Sequence, residues 1–429
     1  MYGTDAQISV PRAHKEVKHM KYLLFIGDGM ADNPVDFLGG KTPLQYANTP
    51  TIDALAAKGT LGSVKNCPDS LPAGSDTAIL SIFGCNPLSC YTGRAPLEAA
   101  ATGIKLRPGD IAYRCNMVCY EDADIPFEEK RILSHSAGSI EGDVSDAIVT
   151  ALFEEPEFAA AAEKAGFRVY PASSFRHMSI QTGASAEGMK LIPPHDHLGE
   201  VIGPLLPSGG TNGPVLRDLM KLAHEQLNHH PINEERRAAG KMPANGIWFW
   251  AEGTAVELPS FPQQFGKMGG VISAVPLCHG IAALTGLERV FVDGATGELE
   301  TNYAGKVAAV VETLEKYDFA ALHVEAPDEC THNGDTPGKL KAIEHLDADC
   351  MAPLVKAFDE KGWDYRILFL SDHKTLTSTR GHDGTPVPFL LYDSTVDTGC
   401  GLSYCEEDGA KGAYYPCGAE SCMKILFGI

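Results

Sequence analysis

Residues 368–392 read Leu-Phe-Leu-Ser-Asp-His-Lys-Thr-Leu-Thr-Ser-Thr-Arg-Gly-His-Asp-Gly-Thr-Pro-Val-Pro-Phe-Leu-Leu-Tyr and set three potential metal ligands, Asp372, His373 and His382, between two apolar runs. Neighbours such as Asp372 and His373 point apart on a regular strand, but on a loop both can turn toward one divalent ion. Thr- and Gly-rich surface loops also carry such pairs, so a metal reading needs ligands from elsewhere, and the chain supplies them. Asp28 stands in Gly27-Asp28-Gly29 after an apolar run. Asp328 and His332 are four apart, so on a short helix they would share a face and could grip one ion together. Ser75 opens the segment Ser-Asp-Thr-Ala-Ile-Leu-Ser-Ile-Phe-Gly at or near a helix N-cap. A hydroxyl there meets unpaired amides and the positive end of the helix dipole, which stabilise an alkoxide or an attached phosphate. Alone, Ser75 reads as a cap; beside six ligand-type side chains it becomes a candidate nucleophile. Two ions with a serine can lower the pKa of the hydroxyl and neutralise a transferring phosphoryl group. Mixed Asp and His ligation suits Mn²⁺, Zn²⁺ or Co²⁺ better than an oxygen-only Ca²⁺ cage.

Each candidate sits on a turn after a short apolar run or at a helix start. Residues 21–26, 366–370 and 387–392 read as buried strands, and open α/β sheets place their chemistry at the carboxyl ends of such strands. Further strands are expected at 61–65, 271–276, 289–293 and 320–325, with helices at 50–58 and 303–316. Pro50 and Gly59 bracket the first of these helices. From about residue 96 to 269 the texture changes to acidic helices such as 154–166 and loops rich in Pro and Gly, which reads as an inserted domain. Within it Arg114, Arg176 and the Pro-fixed turn carrying His195 and Asp196 place cationic side chains that could clamp a phosphate or carboxylate. Individually, each of these is more often a surface ion pair. Trp248 and Trp250 are expected in the core of the insert.

The expected organisation is a leader or disordered tail at residues 1–19, a metal-binding domain formed by 20–95 and 270–429, and an insert at 96–269. A formal net charge of −21 argues against a nucleic-acid partner. No apolar run approaches the roughly 20 residues of a membrane span. Twelve Cys without a Cys-x-x-Cys pair read as reduced thiols of a cytoplasmic protein. The wider pairs Cys115/Cys119, Cys400/Cys405 and Cys417/Cys422 are a minority metal or redox reading.

At these residues the chain resembles the alkaline phosphatase superfamily, and more closely the archaeal-type cofactor-independent phosphoglycerate mutases. The motifs that carry the resemblance are Phe-Ile-Gly-Asp28-Gly-Met, Ala-Gly-Ser75-Asp-Thr-Ala, Gly-Arg94-Ala-Pro-Leu-Glu-Ala, Arg114-Cys-Asn116, Arg176-His177, Pro-Pro-His195-Asp196, Ala-Pro-Asp328-Glu-x-x-His332, Ser-Asp372-His373 and Gly-His382-Asp-x-x-Pro-Val-Pro. The resemblance implies a mostly parallel α/β sheet flanked by helices, with an inserted α+β cap domain. It places Asp328, His332 and His382 on one metal, and Asp28, Asp372, His373 and the Ser75 oxygen on the other. Mn²⁺ leads the expected metals, with Zn²⁺, Co²⁺ or Mg²⁺ as alternatives, and no bisphosphoglycerate is required. Ser75 would carry a phosphoryl group between the hydroxyls of 3- and 2-phosphoglycerate, and Arg114, Arg176, His195 and Asp196 would hold this small phosphorylated carboxylic acid.

Two positions depart from the family pattern. Cys278-His279 stands where a basic residue is expected, and Ala251-Glu252 where archaeal members carry an Arg. A phosphatase or phosphonate hydrolase of the same superfamily would share the metal set. Against a zinc-dependent binding or structural protein, in which the ions only stabilise the fold, stands Ser75, because closed Cys/His shells present no hydroxyl at a helix start.

Overall fold

The computed structural model describes residues 20–417 and 421–429; the expectation for residues 1–19 lies outside them. Eight strands, β1 (Lys21–Gly27), β2 (Thr60–Val64), β3 (Gly269–Ile272), β4 (Glu288–Val290), β5 (Phe319–Val324), β6 (Tyr365–Leu370), β7 (Val387–Asp393) and β8 (Ala413–Tyr415), form one sheet in the order β8-β2-β7-β6-β1-β5-β3-β4. Only β7 runs against its neighbours, so the sheet is mostly parallel. The central sequences Lys-Tyr-Leu-Leu-Phe-Ile-Gly, Phe-Ala-Ala-Leu-His-Val and Tyr-Arg-Ile-Leu-Phe-Leu are almost continuously apolar, as strands covered on both faces require. Register aligns Ile26 with both His323 and Leu370, so the turns after β1, β5 and β6 emerge side by side at the carboxyl edge.

Proline moves two of the expected boundaries, and one further strand is shorter than expected. The strand expected over 271–276 ends at Ile272, because Pro276 starts the helix Pro276–Thr285. That expected at 289–293 is the three-residue β4. The single helix expected over 154–166 is two, since Gly142–Glu154 stops before Pro156 and Pro156–Lys164 begins on it.

A second, antiparallel sheet has Ile111–Tyr120 at its centre, between Arg176–Gln181 and Gly246–Thr254, with Ile132–Ser134 and Phe167–Tyr170 at its margins. It has its own core, including Tyr113, Phe158, Trp248 and Phe249, apart from the cluster that packs β1, β5 and β6. Between the sheets stands the helix Arg94–Ala101. Its Ala95 and Ala99 pack on Ala112, Met178 and Ile180 of the second sheet. Its Leu97 meets the Pro276–Thr285 helix so closely that a Cβ at Gly280 would lie 1.8 Å from the Leu97 carbonyl oxygen.

All twelve thiols are free, and among the described residues no group of potential metal ligands includes a Cys, so the wider Cys pairs form neither disulfides nor a metal site. Among the described residues no helix is long and apolar enough to cross a membrane.

Candidate active site

The three turns at the carboxyl edge bring the sequence candidates together. Asp28 follows β1, Asp372 and His373 follow β6, and Asp328 and His332 ride on the short helix Ala326–His332 after β5. His382 lies on the two-residue strand His382–Asp383, which pairs with Lys374–Thr375 just before β7. Asp28, Asp372 and His373 form one group whose ligand atoms lie within 4.8 Å of one another, and Asp328, His373 and His382 form a second. His373 thus belongs to both groups. His332 joins the second, with Nε2 3.1 Å from Asp328 Oδ2 and 2.8 Å from His382 Nε2. The shared face expected for Asp328 and His332 is present on the helix.

Ser75 is the first residue of the helix Ser75–Ile82, with Gly74 as the cap. Its Oγ is 3.3 Å from Asp28 Oδ2 and 3.2 Å from His373 Nε2. The hydroxyl therefore sits against the first group, at the positive end of the helix dipole.

The electrostatics of this cluster call for positive charge. Asp28 Oδ1 and Asp372 Oδ2 are buried without a hydrogen-bond partner. Burial, with Asp372 and Asp328 nearby, pushes Asp28 well above the ordinary carboxylate range. Burial also opposes charge on Asp328, but hydrogen bonds from His332 and His382 hold it well below that range. The same bond to Asp328 lifts His332 to about 9, whereas burial lowers His373. Buried carboxylates left unpaired are costly unless cations join them. Oxygen and nitrogen donors in two adjoining groups fit a pair of divalent cations.

Supporting residues that the sequence reading passed over orient these ligands. His323, on β5, places Nε2 3.0 Å from Asp28 Oδ2 and Nδ1 3.1 Å from Ser273 Oγ. Thr375 Oγ1 donates to Asp328 Oδ1 at 2.5 Å, the Gly29 amide donates to Asp372 Oδ1 at 3.0 Å, and Asn66 Nδ2 donates to the Asp372 carbonyl at 2.8 Å. Gly29 has φ +60°, and a Cβ there would lie 2.5 Å from Asp328 Oδ1, so glycine is required twice over. The signal for His323 was a lone polar residue inside an apolar strand. The departure at Cys278-His279 falls behind this support: the Cys278 thiol lies against His323, and His279 donates from Nε2 to the Ser273 carbonyl at 2.9 Å while stacking on Phe291.

A second cluster gathers on the Arg94–Ala101 helix and the second sheet. Arg114 grips Glu98 with Nε at 2.8 Å and also with Nη2, and Arg94 Nε reaches the same carboxylate at 3.0 Å. Burial disfavours charge on Glu98, yet Arg114 and Arg94 bring it down to about 2. The guanidinium carbons of Arg114 and Arg176 lie 4.6 Å and 5.6 Å from the Trp250 ring centroid, and the His195 ring is 5.1 Å from the same ring. Burial and Arg114 lower Arg176 to about 10, and its Nε is buried without a partner. Three guanidinium groups gather around Glu98 here, with Asp76 and Glu325 near Arg94 and Glu329 near Arg176, and guanidiniums of this kind suit an anion. Asp196, beside His195 on the short helix Pro194–His197, has a 61% exposed side chain whose nearest charged neighbour is His195 at 3.6 Å, so of the four expected holding residues it stands at the rim. His177 is buried, 2.9 Å from Ser145 Oγ, and serves the core of the second sheet.

Sequence reasoning left out Arg94, Glu98 and Trp250 as members of this cluster. Trp250 lies in the core of the second sheet, as expected, and its face also carries the guanidiniums. Ala251, at the second departure, has φ +52°, and the register shifts between Ala112 and Arg114 on the opposing strand. This bulge sets Arg114 directly opposite Trp250.

A mostly parallel sheet with an Asp/His cluster and a serine at its carboxyl edge defines an α/β protein with its candidate site at the strand ends. A family model described as 2,3-bisphosphoglycerate-independent phosphoglycerate mutase matches residues 56–233. The mutase of that name from Methanosarcina barkeri is 43% identical over 408 residues, covering 95% of this chain and 99% of its own. The structure of the PH0037 protein from Pyrococcus horikoshii superposes with a TM-score of 0.77 at 30% identity, covering 96% of this chain and 97% of its own. The cofactor-independent phosphoglycerate mutase of Thermoplasma acidophilum shares the fold, with a TM-score of 0.60 at 24% identity over 95% of this chain and 99% of its own. The chain belongs to the 2,3-bisphosphoglycerate-independent phosphoglycerate mutase family, and it is an isomerase.

Proposed function

We propose that the protein interconverts 3-phosphoglycerate and 2-phosphoglycerate through a phosphoserine at Ser75, without bisphosphoglycerate. The observation that carries this reading is the position of Ser75 Oγ, 3.3 Å from Asp28 and 3.2 Å from His373 at a helix start. Family membership favours isomerisation over hydrolysis by the same site. Asp28, Asp372 and His373 would hold one divalent ion, and Asp328, His332 and His382 the other, with His373 placed to contact either; Mn²⁺ is the first candidate, ahead of Zn²⁺, Co²⁺ and Mg²⁺. When bound, the ions supply charge neutralisation for the phosphoryl group and for the serine oxygen.

The rest falls to side chains of the chain itself. The Ser75 oxygen bonds to phosphorus as the bond to the 3-oxygen of the substrate breaks, and the serine proton ends on the glycerate hydroxyl. Arg114, Arg176 and His195, with Asp196 at the rim, retain glycerate while it turns. Its 2-oxygen then takes the phosphoryl group back and its proton returns to Ser75. Retention requires exclusion of water, since a phosphoserine open to solvent hydrolyses. We further propose that the second sheet with its helices is a cap over the large sheet, and that the protein works in the cytoplasm, where twelve free thiols stay reduced.

Rapid quenching of enzyme with Mn²⁺ and 3-phosphoglycerate, followed by peptide mass spectrometry, tests the covalent step. A phosphoryl group on Ser75 is expected; turnover with no modified Ser75 at any time point would overturn it.

A further inference from the structure

Behind the Arg94–Ala101 helix, on the side away from Glu98, lies a solvent-open cavity of about 480 Å³, within the roughly 300–1,000 Å³ typical of small-ligand pockets. Both segments that cross between the two sheets line it: residues 103–106 on the way out and Val256 on the way back. The remaining wall comes from Pro96 and Ala100, from Ala283 and Leu284 of the Pro276–Thr285 helix, and from Arg289 on β4.

The lining is apolar except for Lys105 and Arg289, and it includes no Asp or Glu. That is unusual in a chain with 56 acidic and 35 basic residues. Neither cation pairs with a carboxylate among the described residues. Arg289 donates from Nη1 to the Ala101 carbonyl and lies 5.9 Å from the Phe291 ring, which leaves most of its five N–H donors uncommitted. Apolar walls with two cations that pair with no carboxylate match a molecule with an apolar body and one carboxylate.

We propose that this cavity is a binding site for a small amphipathic carboxylic acid, distinct from the site at Ser75. The carboxylate pairs with Arg289 and Lys105, and the body lies against Pro96, Ala100, Leu106, Val256 and Leu284. The helix that forms its wall also carries Arg94 and Glu98, so occupancy acts on the substrate-holding cluster from behind rather than by competition.

Titration calorimetry on the full chain with 4-phenylbutyrate as the probe tests this without reference to turnover, so its failure leaves the mutase reading standing. Expected are binding to the wild type, at least tenfold weaker binding of the uncharged 4-phenylbutanol, and a similar loss in Arg289→Met. Ala283→Trp, at an exposed helix position whose side chain fills the cavity, abolishes binding. Lys105→Ala, on an exposed loop that cannot compromise the fold, weakens it severalfold. Absence of binding to the wild type at millimolar probe would overturn the proposal, as would equal affinity for the alcohol or unchanged affinity in Arg289→Met and Ala283→Trp.

Discussion

Ser75 is the residue on which the proposed chemistry turns, and its surroundings set a hydroxyl at that place apart from an ordinary cap. It is only partly buried and anchors no core packing. Ser75→Ala is therefore expected to keep the melting temperature within about 3 °C of the wild type while lowering kcat by at least about a thousandfold. Differential scanning calorimetry beside a coupled assay reads both. The ligands make a separate prediction about protons. His332 is lifted to about 9 by Asp328, so in the metal-free protein it holds a proton at neutral pH that a cation must displace. Because the raised value means the competing proton is lost only as pH climbs toward 9, apparent Mn²⁺ affinity is expected to rise from pH 7 to about 9 and then flatten. Competition with a chelating dye across that range checks it; affinity independent of pH would exclude His332 as a ligand. Removal of metal with EDTA is expected to abolish turnover, and added Mn²⁺ to restore it.

At the scale of elements, the helix Arg94–Ala101 joins the two halves of the site, since one turn of it presents both Arg94 and Glu98. Glu98 is buried and paired to Arg114 and Arg94, so Glu98→Gln leaves two guanidiniums without their counter-charge, at a cost of about 3–5 kcal/mol. The depressed value of Glu98, about 2 against an ordinary 4.5, gives the sign of the pH dependence. Its contribution is full above 4.5 and is lost as pH falls toward 2. The difference in melting temperature between wild type and Glu98→Gln is therefore expected to shrink on acidification below pH 4.5.

The same scale separates what could be read in the sequence from what could not. Asp28, Asp372 and His373 were legible because each follows an unbroken apolar run, and such runs place their next residues at the carboxyl edge of a parallel sheet. Asp328 and His332 were legible from helical spacing. The Glu98–Arg114 pair was not, because it joins a helix to a strand of another sheet and leaves no periodic trace. The role of Trp250 depends on a bulge at Ala251 that no residue type announces. Boundaries slipped where a proline, at 156 or 276, starts a helix that apolar content alone had extended or read as strand.

Taken whole, the molecule sets two sheets with separate cores about one shared helix, with the Asp/His cluster on the large sheet and the arginine cluster on that helix and the second sheet. A net charge of −21 would repel phosphoglycerate, so the proposed function requires local reversal of the field, which Arg94, Arg114, Arg176 and the proposed cations would supply. On the proposed function, the two clusters together would favour transfer between hydroxyls of one retained acid over transfer to water. Phosphorus NMR of the purified protein with Mn²⁺ and 3-phosphoglycerate, and no bisphosphoglycerate, follows both isomers and inorganic phosphate at once. The 2-phosphoglycerate signal is expected to grow to equilibrium with little free phosphate. Accumulation of inorganic phosphate without 2-phosphoglycerate would contradict the mutase assignment and leave a hydrolase built on the same residues.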